Sequence, residues 1–240
     1  MVDKSRIKYI NSLGDKKLRD DDGVFIAEGP KIINELLGEN LVEVIEVFAT
    51  EEWFSQQKDT GDHQATIVDE KMLGRLSFLS TPNQVIGLFK KPSLPPLQLK
   101  GSISIIADNI QDPGNLGTII RCADWFGIPQ VVCSLSCADV FNPKTVQATM
   151  GSVARVKVYY ENLPGVLNGV ALFMATLHGK DIRSLPPISE GAIVIGNESK
   201  GISSEVLALP HEKITITRKG KAESLNAAMA TGIILSHIIR

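Results

Sequence analysis

Arg121 is the residue with the clearest capacity for chemistry, because it is the one basic group of a predicted helix whose neighbours are mostly apolar or small. It lies in the stretch DNIQDPGNLGTIIRCADWFG (108–127). Asp-Pro-Gly-Asn predicts a tight turn before the helix, which is capped either by Asp112, with Pro113 in its first turn, or by Asn115. An arginine beside a bare helix surface suits the clamping of a phosphate or carboxylate, whereas a solvated arginine is the simpler interpretation of this helix alone.

Two further loops carry polar groups beside glycines, which let a backbone approach a ligand closely. In IVIGNESKGIS (193–203) a predicted strand ends at a glycine, and Glu198 lies before a second glycine. In TRKGKAESLNAAMATG (217–232) Ser224 is predicted to cap a helix, and Asn226 follows in its first turn. An ordinary turn and an ordinary cap explain each loop when it is considered alone.

Motifs and spacing exclude several familiar sites. The chain has neither GxxxxGK[ST] nor GxGxxG, so its glycines do not indicate an NTPase or a dinucleotide enzyme. We predict no metal site and no Ser-His-Asp triad, because the histidines are scattered through the chain. These histidines are His63, His178, His211 and His237. The odd number of cysteines predicts reduced and buried thiols, and they are Cys122, Cys133 and Cys137.

The composition predicts a protein with a sizeable core and no membrane span. The chain has 240 residues, of which 43% are hydrophobic, and no apolar run of about 18 residues. Its charged N-terminus lacks the apolar core of a signal peptide, so we expect a cytoplasmic location. The net charge of −2 gives no global basic signal for nucleic acid, although a local basic face is compatible with it.

A proline-rich segment, KKPSLPPLQLK (90–100), predicts a domain boundary, because paired prolines favour an extended linker. We expect a first domain at 1–92, a linker at 93–100 and a second domain at 101–240. Alternating elements predict a small α/β domain before the linker. Its strands are predicted at 24–27, 44–49, 65–68 and 85–89, and its helices at 30–37, from 51 and from 70.

After the linker the alternation continues with more apolar strands, which predicts a mostly parallel sheet with helices on both faces. Ligands of such sheets bind at the carboxyl ends of the strands, so the loops after the strands are the expected site. The predicted strands are 104–107, 130–133, 155–159, 171–175, 192–195 and 213–216. The predicted helices are 115–126, 143–150, 163–168, 203–207 and 224–240.

Taken together, the three loops resemble the three motifs of the SpoU/TrmH family of RNA ribose 2′-O-methyltransferases, in the family's order and spacing. The first motif is similar to NIQDPGNLGTIIRCADWFG (109–127), the second to IGNESKGIS (195–203) and the third to ITITRKGKAESLNAAMA (214–230). The segment 19–37, which contains FIAEGPKIINELL, is similar to the family's small substrate-binding domain with a ribosomal-protein-L30-like fold.

The resemblance implies an α/β protein with an L30e-like N-terminal domain and a C-terminal parallel-sheet domain that contains a deep trefoil knot. It implies S-adenosylmethionine as the cofactor, no metal, RNA as the substrate and a homodimer formed through the knotted domain. Ribosomal RNA is favoured over transfer RNA. One departure is that Ile216, Thr217 and Arg218 stand where the third motif usually has Ile-Pro-Met. The turn therefore lacks its proline, although we expect the cofactor pocket to be kept.

Site residues follow from the resemblance, position by position. Arg121 is implied as catalytic, and two roles stay open for it: proton acceptor, or clamp for the adjacent RNA phosphate that also stabilises the developing alkoxide. Because guanidinium groups ordinarily have a pKa above about 12, we favour the clamp. The other implied catalytic residues are Asn115, Glu198, Ser224 and Asn226. The implied cofactor-binding residues are Thr176, Leu177, Gly196, Asn197, Glu198, Ile216, Leu225 and Asn226.

Contacts to RNA are expected from Arg121 and from a basic cluster near the N-terminus, where acidic neighbours dilute the charge. This cluster consists of Arg6, Lys8, Lys16, Lys17 and Arg19. Three alternative functions are a transfer RNA 2′-O-methyltransferase, a catalytically inactive RNA-binding or ribosome-assembly protein of the same fold, and a base methyltransferase. The last fits less well, because the pair Asn115 and Arg121 with the later Ser-Leu-Asn run follows the ribose-modifying pattern.

Overall fold

A computed structural model of the chain describes residues 2–38, 41–57 and 65–239, so His63 and the last residue of the C-terminal helix predicted at 224–240 lie outside the described residues. Up to the proline-rich segment the elements are α1 (Lys4–Ser12), α2 (Lys16–Asp22), β1 (Val24–Glu28), α3 (Pro30–Gly38), β2 (Val44–Ala49), α4 (Glu51–Gln56), β3 (Ala65–Ile67), α5 (Glu70–Leu76) and β4 (Val85–Lys90). After it they are β5 (Ile103–Asp108), α6 (Pro113–Trp125), β6 (Gln130–Ser134), α7 (Pro143–Thr149), β7 (Lys157–Glu161), α8 (Leu163–Val166), β8 (Leu172–Asp181), β9 (Gly191–Gly196), α9 (Ser204–Leu207), β10 (Glu212–Thr215) and α10 (Ala227–Ile238).

The first two helices, α1 and α2, were not among the predicted elements, because both segments are strongly polar. Their capping signals were nevertheless present in the sequence. The Asp3 carboxylate accepts a hydrogen bond from the Arg6 N–H at 2.7 Å, and the Asp15 carboxylate accepts one from the Lys17 N–H at 2.8 Å. Aspartate is among the preferred N-cap residues for this reason.

One compact unit comprises Met1–Leu94 together with Phe141–Ala154. Its four-stranded sheet has the order β1-β4-β2-β3, in which β4 is antiparallel to both of its neighbours and β2 is parallel to β3. Every residue of β1 is buried. The Phe25 ring of this strand packs on Phe89 and on Phe141, with ring centroids 5.5 and 5.1 Å apart. The segment 141–154, which we had expected to belong to the second domain, therefore completes the core of the first unit.

The other compact unit comprises Pro95–Val140 and Arg155–Arg240. Its six strands have the order β10-β8-β9-β5-β6-β7, and every neighbouring pair is parallel. The predicted parallel sheet is therefore confirmed. Among the described residues, no helix is both long enough and apolar enough to cross a membrane. Strand order alone does not specify whether a chain is knotted, so the trefoil knot stays a prediction.

Strand β8 is longer than the predicted 171–175, because its second half pairs with β10 after a shift in register. The last two residues of β10 lie opposite Lys180 and Asp181. Gly179 permits this close approach: a Cβ built on it would come within 2.6 Å of the backbone of Lys213. The shift carries the end of β8 out to Asp181, beside the loop that follows β10.

Candidate functional site

A chain of side-chain hydrogen bonds joins the three motif loops. The side-chain amide of Asn115 donates to Oε1 of Glu198, and the amide of Asn226 donates to Oδ1 of Asn115 at 2.8 Å. Oε1 of Glu198 also accepts the backbone N–H of Ala227 at 3.3 Å. The structure thus brings together three of the residues that the sequence motifs implied as catalytic.

The start of α6 places Asn115 for this role. Asp112 is the N-cap, because its carboxylate accepts the Asn115 N–H at 2.8 Å. The first of the two predicted caps is therefore confirmed. Asn115 lies inside the first helical turn, where its side chain does not cap the helix and reaches Glu198 instead.

The start of α10 differs from the prediction, and Ser224 is not its cap. Oδ1 of Asn226 accepts the N–H groups of Ala228 and Met229, both at 3.1 Å, so the helix begins at Ala227. Asparagine caps helices as well as serine does. Ser224 is an exposed residue of the preceding loop, and it lines the cavity described below.

The second motif loop is tightly fixed. The backbone N–H groups of Asn197 and Gly201 each donate to the other's carbonyl, at 3.1 and 2.8 Å. The Asn197 side chain donates to the carbonyl of Asn109 at 3.0 Å, and the buried Asp108 carboxylate accepts the N–H of Ser203 at 2.7 Å. The side-chain amide of Asn197 therefore holds the second motif loop against the first. Its predicted contact with the cofactor would come from its backbone.

Arg121 does not join this hydrogen-bonded chain. It is exposed and forms no hydrogen bond or ion pair with any residue at 2–38, 41–57 or 65–239. It follows Asn115 by six positions, which places it about 9 Å further along the helix axis and on a different side. Its guanidinium therefore has all of its donors available to a ligand or a partner.

A cavity of about 730 Å³ lies at the carboxyl ends of β9 and β10 and along the middle of β8. The carboxyl ends of strands are the expected location of a ligand site in a parallel sheet. Seven of the eight predicted cofactor-binding residues line it: Thr176, Leu177, Gly196, Asn197, Glu198, Ile216 and Leu225. Asn226 is not among the lining residues, although both of its neighbours in sequence are. Much of the remaining lining is apolar, which suits a heteroaromatic ring with a flexible chain.

Asp181 is a contributor to this site that sequence reasoning missed. The Thr217 hydroxyl donates to Oδ2 of Asp181, and the Arg183 side chain donates to Oδ1 of the same carboxylate at 3.0 Å. These bonds, that from Arg183 above all, hold the pKa of Asp181 well below its usual range. The threonine that replaces the motif's usual proline is thus tied to the end of β8.

The basic cluster near the N-terminus is largely neutralised within its own unit. Arg6 donates to Glu46 at 2.7 Å and Lys16 pairs with Asp20 at 2.6 Å. Arg19 is only 1% exposed, and its guanidinium donates to the carbonyls of Leu13 and Gly14 at 2.6 and 2.8 Å. The prediction that Arg19 contacts RNA was wrong, because its side chain holds the turn between α1 and α2. Lys8 and Lys17 are exposed.

No cysteine is among the described residues that line the cavity. All three cysteines are free thiols. Cys137 lies behind the first motif loop, where hydrogen bonding with Cys133 lowers its pKa to about 7. In the part of the chain that the structure describes, no group of three or more His, Cys, Asp or Glu residues is arranged to hold a metal ion.

Two protein-family models match the chain. Residues 102–236 match the model of the SpoU rRNA Methylase family, and residues 4–87 match that of the MRM3-like substrate binding domain. The 23S rRNA (guanosine(2553)-2′-O)-methyltransferase RlmP of Bacillus subtilis is 30% identical over 97% of this chain and 95% of its own length.

Similar solved structures cover almost the whole chain. A proposed RNA methyltransferase of the TrmH family from Porphyromonas gingivalis has a TM-score of 0.86 and 33% identity, and the match covers 99% of this chain and 98% of the other. An AdoMet-bound rRNA methyltransferase from Sinorhizobium meliloti has a TM-score of 0.81 and 29% identity, with coverages of 99% and 96%.

Proposed function

Since this chain belongs to the SpoU rRNA Methylase family, we propose that it transfers a methyl group from S-adenosylmethionine to a ribose 2′-hydroxyl of ribosomal RNA. The observation that carries the proposal is the hydrogen-bonded chain Glu198–Asn115–Asn226 beside the cavity. Its three members come from three separate motifs, and both links between them are side chain to side chain. The sheet does not need these side-chain hydrogen bonds for its stability.

The volume and the lining of the cavity fit the cofactor. Apolar side chains such as Leu177 and Leu225 suit the adenine ring, and backbone groups of Gly196 and Ile216 are available for its polar atoms. The volume lies within the usual range of ligand pockets, about 300–1,000 Å³. When bound, S-adenosylmethionine supplies an electrophilic methyl group to a nucleophilic oxygen.

The chain's own residues would position the ribose and stabilise charge. Asn115 is fixed by Glu198 on one side and Asn226 on the other, so its orientation is set before RNA arrives. Arg121 would bind the RNA phosphate next to the reacting nucleotide and stabilise the oxyanion that forms as the 2′-hydroxyl loses its proton. Positioning of this kind supplies much of the rate enhancement of a displacement reaction.

We further propose that the protein acts in the cytoplasm as a homodimer. Helices α6 and α10 pack against each other, with Gly232 close to Cys122. Both helices also expose large apolar side chains: Trp125 is 83% exposed and Met229 is 62% exposed. A second copy would cover these side chains. Trp125 is one helical turn from Arg121, so the same contact would also shield that guanidinium from water.

The proposed function is tested by cofactor binding and by mapping of methyl groups. We expect calorimetry to show one S-adenosylmethionine site per chain, and deletion of the gene to remove one 2′-O-methyl mark from ribosomal RNA. Loss of a mark from transfer RNA alone would show that transfer RNA is the substrate. Absence of cofactor binding would identify an inactive protein of the same fold.

The bond between Thr217 and Asp181 gives a second prediction. Replacing Thr217 with valine keeps its shape and removes the hydroxyl, so the loop after β10 loses its tie to β8. Because a single hydrogen bond contributes about 0.5–1.5 kcal/mol, we expect the calorimetric Kd for S-adenosylmethionine to rise about three- to tenfold. Thr217→Ser keeps the hydroxyl and should bind as the wild type does. Equal affinities of all three proteins would show that the bond does not shape the pocket.

A further inference from the structure

Four cations of the second and third motif loops stand along the edge of the cofactor cavity: Lys200, Arg218, Lys219 and Lys221, here called the basic rim. All four are exposed. Lys200, Arg218 and Lys219 line the cavity, and Lys221 lies between the lining residues Gly220 and Ala222. The rim is therefore next to the hydrogen-bonded chain of Asn115, Glu198 and Asn226, at the point where a substrate must approach.

The rim is not neutralised by the protein. Within the described ranges, Lys200, Lys219 and Lys221 form no side-chain hydrogen bond or ion pair, and Arg218 donates only to the carbonyl of Ala222 at 3.0 Å. One carboxylate, Glu223, lies in the same loop and is exposed. Several cations elsewhere differ from the rim: Arg6, Lys16 and Arg155 are all held by carboxylates of their own unit.

We infer that the basic rim binds the phosphodiester backbone of the RNA and is the main electrostatic contact of the catalytic unit with its substrate. The inference rests on the proposed function and assigns its substrate-binding surface. Several unpaired cations in succession match a ligand with repeated negative charges. A single cofactor carboxylate would leave most of the rim unmatched.

Three members of the rim, Arg218, Lys219 and Lys221, lie within the third motif, and this position adds to the argument. Arg218 follows Thr217 directly, and the bond from Thr217 to Asp181 fixes the start of this loop. A loop that is held at its base presents its charges with less loss of conformational entropy on binding. The basic residues thus stand on an anchored loop, unlike those near the N-terminus, which are largely engaged with their own unit.

The test is the salt dependence of RNA binding by the full-length Lys219→Gln/Lys221→Gln variant. The matched control is Lys100→Gln/Lys157→Gln, because both of these lysines are exposed and lie before or at the amino ends of β5 and β7, away from the cavity. The probe is an unmodified transcript of bacterial 23S ribosomal RNA. Removal of two phosphate contacts should lower the slope of log K against log salt by about 1.4–1.8 and weaken binding about 25- to 60-fold at 0.1 M salt.

We expect the control variant to keep the wild-type slope, the wild-type calorimetric affinity for S-adenosylmethionine and the wild-type kcat. The rim variant should lose affinity for RNA without losing affinity for S-adenosylmethionine. An unchanged slope in the rim variant would overturn the inference. So would weaker cofactor binding with unchanged RNA binding, which would assign the rim to the cofactor carboxylate. Wild-type protein that binds the cofactor but no RNA would instead refute the proposed function.

Discussion

Replacing Arg121 with lysine is expected to lower kcat by about 100-fold or more, as the removal of one oxyanion-stabilising donor does in other enzymes. Lysine keeps the positive charge but loses the planar fork that binds a phosphate through two parallel hydrogen bonds. Arg121 forms no side-chain bond with any described residue, so the variant should fold as the wild type does. Single-turnover methylation of the RNA measures the effect.

The matched control is Arg75→Lys, an exposed arginine on α5 of the other unit, which should leave kcat unchanged. Near-native turnover by the Arg121→Lys enzyme would contradict the clamp.

The pH dependence separates the two roles of Arg121. If it accepts the proton, the lysine variant should recover activity as pH rises toward about 10, because lysine is neutralised more readily than arginine. A clamp predicts no such recovery.

The second large effect is expected at Gly196, where β9 enters the second motif loop. A Cβ built on Gly196 would come within 2.4 Å of the Gly201 carbonyl carbon and 2.5 Å of the Ile202 nitrogen. Both obstacles are backbone atoms, so neither can rotate away and the loop itself must shift. Overpacking of this kind costs about 1–3 kcal/mol. Since the loop lines the cavity, Gly196→Ala should weaken S-adenosylmethionine binding about 10- to 100-fold.

Gly220→Ala provides the control for this prediction. Gly220 also lines the cavity, but a Cβ built there has no atom within 4 Å. We expect its calorimetric Kd to stay close to that of the wild type. If Gly196→Ala binds the cofactor as well as Gly220→Ala does, the close packing between Gly196 and Gly201 is not needed for the pocket.

Local chemistry explains why most elements were predictable. The helix α6 begins where Asp112 and Pro113 indicate, and β2 has the predicted bounds. The last helix shows the limit of such local rules. Ser224 and Asn226 are both good caps, and tertiary contact decides between them, because Glu198 accepts the N–H of Ala227 and Asn226 is bonded to Asn115.

The assembly of the site depends on contacts that no local rule contains. Asn115 and Glu198 are 83 positions apart, and Asn115 and Asn226 are 111 apart. Only the resemblance to family motifs placed them together in advance. For Arg19 the local sequence was misleading. Its charged neighbours predict an exposed side chain, whereas the turn after α1 encloses it. Charge clusters therefore predict surfaces less reliably than motifs predict sites.

The membership of 141–154 in the first compact unit bears on how this protein can be cut and recombined. A fragment that stops at the prolines would lose Phe141, which packs on the fully buried Phe25, and with it the whole of α7. The first compact unit is consequently not encoded by one contiguous stretch of the gene. A chimera that exchanges substrate-binding domains between relatives must carry two separate stretches of sequence, and a single crossover near residue 95 would split one hydrophobic core between two parents.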